Sequence, residues 1–149
     1  MQDISLYVKK LNATNKHEVT WQGLVDKSQI SRLEEALKCI LPDDFKFFLM
    51  ETGGGGVVEQ EVSGIEDNNG LAEFGGTVYY DTLYCRDEYL LPKELIVIYF
   101  KDGEICWCLD CSAENFGKVV SYDLISLKKH SVLHNSFKAF FREYVDLRA

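Results

Sequence analysis

Ile30-Ser-Arg-Leu-Glu-Glu-Ala-Leu-Lys-Cys-Ile-Leu-Pro-Asp-Asp-Phe-Lys-Phe-Phe-Leu-Met-Glu-Thr-Gly-Gly-Gly-Gly56 is the stretch on which the fold turns. Ile30, Leu33, Leu37 and then Ile40 or Leu41 recur at helical spacing, so one face is apolar. Pro42 breaks that helix and opens the next as its first residue, where a missing N–H leaves nothing unpaired. Asp43 and Asp44 fall in the first turn of the second helix, where the helix dipole favours negative charge. Phe45, Phe48 and Leu49 give it an apolar stripe, and Gly53 to Gly56 stop it. Two short helices joined at Leu-Pro, then a glycine run, form the frame for the rest.

Toward the N-terminus, Ile4, Tyr7, Val8 and Leu11 predict a helix over residues 3–12. Residues 12–29 read as an irregular crossing containing Trp21 and Gly23, with Ser28 as N-cap of the following helix. Toward the C-terminus, residues 57–65 are rich in β-branched side chains and predict one or two short strands, followed by a turn at Glu66-Asp-Asn-Asn-Gly70. Residues 77–90 fit either strand or helix. Leu95 to Phe100 and Glu104 to Leu109 flank Lys101-Asp102-Gly103, the strongest short hairpin signal in the chain. Lys118 to Tyr122 predicts another strand, and Phe137, Phe140, Phe141, Tyr144 and Val145 predict a closing amphipathic helix. Helices first, antiparallel strands in the middle and a helix last define an α+β fold. The expectation is a central antiparallel sheet flanked by N-terminal helices and one C-terminal helix, as one domain over residues 1–149.

The chain has 149 residues and a net charge of −8, and its charge is unevenly spread. Residues 1–50 carry seven acids against seven Lys/Arg, and residues 105–149 carry five against six. Residues 51–104 carry twelve acids against Arg86, Lys93 and Lys101, a net of −9, so the whole excess lies in the middle third. Such a segment repels nucleic acid and anionic membranes and steers a basic partner toward itself; its bland counterpart is a solvated surface that keeps the chain soluble. No apolar run approaches the roughly 20 residues of a membrane span. The first ten residues lack the pattern of a signal peptide, so a cytoplasmic location is expected, with no membrane and no nucleic acid as partner. In that reducing setting Cys39, Cys85, Cys106, Cys108 and Cys111 are expected as thiols.

Several residue groups invite chemistry. Cys106-x-Cys108-x-x-Cys111 offers three thiols for zinc, with a fourth ligand needed from Cys39, Cys85, His130 or His134. The usual two-plus-two spacing is missing, and buried cysteines serve as small apolar residues, so packing is the preferred reading and no metal is expected. His130 and His134 lack the glutamate of a zinc-protease helix and read as solvent-facing imidazoles near the start of the last helix. Gly53 to Gly56 follow a helix and lack the Lys-Ser/Thr of a phosphate loop, so a C-cap and a tight passage into a strand is the better account. Glu61-Val-Ser63-Gly64 lacks the first glycine of a nucleophile elbow, and no acid has a recognisable nucleophile beside it. Tyr79, Tyr80, Tyr84 and Tyr89 lie among the acids of the middle third, either as interface anchors or as packing residues.

The Leu41-Pro42 joint with its glycines does not stand alone. Cys108-Leu109-Asp110, Val119-Val120 with Tyr122-Asp123, Ser136-Phe137 through Phe140-Phe141, and Glu34 three residues before Leu37 follow in order. Together they resemble the SUKH superfamily, which holds bacterial toxin-immunity proteins and yeast regulators of cell-wall synthesis. Cys39 departs from the pattern, standing where a glycine is common. The resemblance, together with the acid-rich composition of the stretch, favours a helix over 77–90, and it implies a binding protein, not an enzyme, with no cofactor. Its first implication is an immunity protein whose partner is a cognate toxin with a basic surface, as a nuclease has. The alternative is a non-enzymatic regulatory scaffold. Charge clustering nominates Glu59, Glu61, Glu66, Asp67, Glu73, Asp87, Glu88, Asp102 and Glu104 as the contact residues. Glu34 and Asp110 read as structural, tying a helix to a loop and turning the chain after a strand.

Overall fold

In the computed structural model, which describes residues 2–149, the chain runs α1 (Gln2–Asn12), β1 (Val19–Trp21), α2 (Lys27–Leu37), α3 (Asp43–Thr52), β2 (Gly55–Val57), α4 (Val78–Tyr89), β3 (Leu95–Lys101), β4 (Ile105–Asp110), β5 (Val119–Asp123), β6 (Lys128–His134) and α5 (Phe137–Asp146). β3 to β6 form an antiparallel sheet in sequence order, and β1 pairs with β2 in a separate two-stranded sheet. The α+β architecture is as expected.

The sheet has two unequal faces. Against one face lie α1, α2, α3 and α5, which contribute Ile4, Leu11, Leu33, Phe45, Phe48 and Phe141, among others, to the main apolar cluster with Ile96, Ile98, Leu109 and Val119 of the sheet. Phe48 is central to it, with ring centroids 5.0 Å from Phe137 and 4.9 Å from Phe141. The opposite face is covered by α4 over a smaller cluster of Cys85, Leu95, Val97, Cys106, Cys108, Val120 and Tyr122. Residues 95 and 97 thus point one way and 96 and 98 the other, as strand alternation requires.

That alternation breaks once, with consequences for the surface. A bulge between Val97 and Tyr99 lets both Ile98 and Tyr99 face the main cluster. Phe100 is thereby turned to the α4 side, where it packs against the smaller cluster. The Ile98 carbonyl at the bulge accepts the Ser63 N–H at 2.7 Å, and the Val97 N–H donates to Thr82 Oγ1 at 3.0 Å. These bonds cover a sheet edge that would otherwise be free to pair with another chain.

Several local expectations need correction. The N-cap of α2 is Asp26, not Ser28, which lies inside the helix. Pro42 is the N-cap of α3, one position before the helix, with Asp43 and Asp44 in the first turn as expected. The crossing at 12–29 contains β1, which is too short to carry an alternation signal. The glycines do more than stop α3: Gly53 is its left-handed C-cap, while Gly55 and Gly56 already belong to β2. Gly56 has φ +126°, and a Cβ there would collide with the Tyr144 hydroxyl, so both backbone and space require glycine. Of residues 57–65 only Val57 is in a regular strand, with Val62 held by an isolated bridge to Gly55. The strand over 118–122 is β5, and β6 follows it unannounced. His130 and His134 therefore lie on a strand and not near the start of α5.

Candidate functional site

α4 repeats polar residues where a buried helix face would normally be apolar. Val78, Asp81, Thr82 and Cys85 recur at i, i+3, i+4 and i+7 and face inward. The Thr77 hydroxyl caps the helix by accepting the Tyr80 N–H. On the outward side, Tyr80 and Tyr84 are one turn apart and stack, centroids 6.1 Å and planes 13° from parallel. Tyr79 turns away from them and packs against the main cluster.

Between α4, the two-stranded sheet and the β3–β4 hairpin lies an open groove of about 650 Å³. Tyr80, Tyr84, Tyr89 and Phe100 supply its aromatic side, and Glu61, Lys101 and Asp102 its charged side. The Phe100 ring reaches Tyr84 at 5.9 Å and Tyr89 at 6.3 Å, a contact made possible by the bulge before it. The hairpin tip is set by left-handed residues, Asp102 at φ +57° and Gly103 at φ +64°, as the Asp-Gly signal required.

Asp81 lies beneath the groove and is only 4% exposed. Its two oxygens accept the Ser63 hydroxyl at 2.9 Å and the Gly76 N–H at 3.2 Å. Burial raises its carboxyl above the usual range, and those two donors with Lys101 offset this only in part. Ser63 is itself 2% exposed and directs its proton to Asp81, so it serves as a partner for that buried carboxylate. Glu61 behaves oppositely: burial pushes it up, but the N–H groups of Glu59 and Glu61 and the Lys101 ammonium outweigh this and hold it below its ordinary value. Its ion pair with Lys101 is 3.4 Å long.

The nine acids nominated from charge do not form one cluster. Glu61 and Asp102 line the groove, and Glu88 is close enough to Tyr84 to disfavour ionisation of its hydroxyl. Glu59 sits in the left-handed turn after β2, its N–H donated to Glu61 Oε2 at 2.9 Å. Glu104 is exposed beside the hairpin tip, Asp87 is exposed on α4, and Glu73 is exposed in the loop before it. Glu66 and Asp67 belong to a loop docked elsewhere. Asn68 of that loop bonds Asp26 at the start of α2, and the Gly70 N–H donates to Gln29. Sequence reasoning missed Asp81 and Phe100. Asp81 was within reach, because a helix over 77–90 places it on one face with Val78 and Cys85, where a carboxylate stands out among inward residues. Phe100 was not, because alternation alone assigns it to the other face.

The remaining candidates resolve into packing. Cys106 Sγ is 3.7 Å from Cys108 Sγ, and Cys85 meets Cys106, all three within the smaller cluster. Cys111 lies apart from them, beside Cys39 and against the main cluster. The three thiols of the motif thus fall into two groups, and among the described residues no set of three or more His, Cys, Asp or Glu is arranged to hold a metal. The glycine run is equally committed: the N–H groups of Gly53, Gly54 and Gly55 donate to Leu49, Thr52 and Val62. No phosphate cradle is left there. His134 pairs with Glu143 at 3.3 Å and packs on Phe140. Glu34 accepts the Leu41 N–H at 2.8 Å, tying α2 to the following loop as expected, and it also pairs with Lys46 of α3. Asp110, 1% exposed, accepts the Ser112 N–H as a turn residue does, and it also pairs with Lys129 at 3.0 Å. Among the described residues no helix is long and apolar enough to cross a membrane.

The chain is thus an α+β protein with an open groove lined by aromatic and acidic side chains. The SUKH_5 family model, described as SMI1-KNR4 cell-wall, matches residues 4–146. The chain belongs to the SUKH superfamily.

Proposed function

We propose that this chain is an immunity protein that binds and neutralises a cognate bacterial toxin through the surface built from its acidic middle third, acting in the cytoplasm and without enzymatic activity or cofactor. The observation that carries the reading is the family match over residues 4–146 in a chain whose whole net negative charge falls on residues 51–104. Superfamily membership is consistent with an immunity-like role and with protein partners in general. The acids add the chemistry of the partner: a basic active surface, as a nuclease must have, is attracted quickly and then occluded. Non-enzymatic action fits the internal pairing of the polar groups, since Asp81 is bonded to Ser63 and Gly76 and Glu61 is paired with Lys101. Of the nine nominated acids, Glu61, Glu88 and Asp102 are proposed as central contacts, with Glu59, Glu73, Asp87 and Glu104 at the rim and Glu66 and Asp67 outlying.

The family description, SMI1-KNR4 cell-wall, favours a second reading, a regulatory scaffold for a cellular partner. Co-expression separates the two. The C-terminal domain of the neighbouring gene product is expressed in a sensitive host with and without this chain. Immunity requires survival with it and death without it. A harmless neighbour, or killing in both cases, would favour the scaffold.

A further inference from the structure

Acidity explains attraction to a basic partner but not the open tyrosines. Tyr80 and Tyr84 are each 39% exposed although stacked on one another, and Tyr84 is also backed by Phe100 and Tyr89. Rings that pack only for stability are closed over, as Phe45 and Phe48 are on the other side of the sheet. Here a supported ring pair is left facing a groove whose other side carries carboxylates. The negative face of a ring attracts a cation, and carboxylates accept its N–H groups. At Gly75 and Gly76 an added Cβ would meet nothing within 4 Å, so the groove is also open along the loop leading to α4. Its own cation, Lys101, is paired with Glu61 and lies 5.1 Å from the Tyr99 ring, leaving Asp102 and the Tyr80–Tyr84 pair for an incoming group.

We propose that this groove receives an arginine side chain of the partner protein, its guanidinium plane laid on the Tyr80–Tyr84 pair and its N–H groups donated to Asp102 and Glu61. Arginine fits better than lysine because a planar guanidinium stacks on a ring and presents a fork of donors at once, whereas an ammonium is a compact and strongly hydrated point. An uncharged apolar anchor would leave Asp102 desolvated and unpaired. Lys101 competes with the incoming cation for Glu61 and offsets part of the negative charge of the empty groove. The inference rests on the partner-binding reading above and specifies the residue type that the partner inserts.

The test is an NMR titration of the full chain with acetyl-Gly-Arg-Gly-amide, with the lysine analogue and with the neutral citrulline analogue. Arginine should shift amides of residues 75–89 and 99–104, saturating in the millimolar range, with citrulline weaker by about 5-fold or more. Tyr84→Ala should weaken arginine by about 2- to 5-fold, Tyr84→Phe should retain it, and Lys101→Gln should strengthen it. Equal binding of arginine and citrulline, or shifts confined to other parts of the chain, would overturn the inference. The same variants in the rescue assay separate the two readings. Protection that persists in a Tyr84→Ala chain unable to bind arginine would discard the groove and keep the immunity role. Arginine binding in a chain that protects against nothing would do the reverse.

Discussion

On one face of the four-stranded sheet, Phe45, Phe48, Phe137 and Phe141 are sealed against aliphatic residues from four helices. On the other, α4 lays Asp81, Thr82 and Cys85 inward and leaves Tyr80 and Tyr84 partly open. The first face does what a core does, removing apolar area from water with few polar groups to satisfy. The second accepts a buried carboxylate, a bulge and exposed rings, features that do not improve packing. If partners are met on the α4 side as proposed, stability and recognition divide between the two sides of one sheet, and substitutions should separate into two classes.

The largest effect on stability belongs to the sealed side. Phe48→Ala should destabilise by about 3–5 kcal/mol in urea unfolding, since it removes a fully buried ring from the centre of the cluster. A loss below about 1 kcal/mol would break the comparison.

Next comes the junction between the sides. Asp81→Ala should cost about 1–3 kcal/mol by leaving Ser63 and the Gly76 N–H without their acceptor, while Asp81→Asn should lose less. The sign with pH also follows. A carboxyl raised in the folded state opposes folding once ionised, so its penalty grows as pH rises from the unfolded value through the folded one. Wild type should therefore gain on Asp81→Asn as pH falls through that window. A parallel pH profile for the two proteins would show that Asp81 is not held as described.

How much of this was legible in the residues follows the same division. The sealed face was, because Ile30, Leu33 and Leu37 or Phe137, Phe140, Phe141 and Tyr144 repeat with the helical period wherever a helix buries one stripe. β6 was not: Lys128 to His134 are exposed except His134, so pairing with β5 does most to hold the strand and no alternation marks it. α4 showed no periodic apolar stripe because its inward positions include Asp81, Thr82 and Cys85, and only its acid-rich composition and the family resemblance favoured a helix there. The groove was half legible. Its acids stood out in the charge map, but which of them meet the tyrosines depends on the bulge in β3 and on the docking of the 66–70 loop at α2, and neither leaves a local pattern.

The open side should show the smallest effect on stability. Tyr80→Ala and Tyr84→Ala should stay within about 1 kcal/mol of wild type in urea unfolding. They should nevertheless weaken binding of the proposed partner, and an equal effect on fold and binding would remove the distinction between the two sides. Cys39 sharpens it without touching the fold. The Cys111 thiol lowers it, burial opposes this, and Arg86 helps bring it to about 7, whereas the Cys85 and Cys106 thiols are pushed far up. Iodoacetamide at neutral pH, followed by peptide mass spectrometry, should label Cys39 first and leave Cys85 and Cys106 unmodified while the chain is folded.

Hydrogen exchange on the complex with the protein partner tests most directly whether that partner is met on the α4 side, as proposed. The account predicts slowed exchange for amides of residues 75–89 and 99–104, with α1 and α5 unchanged from the free chain. Protection that falls on α1 and α5 and spares those residues would contradict it.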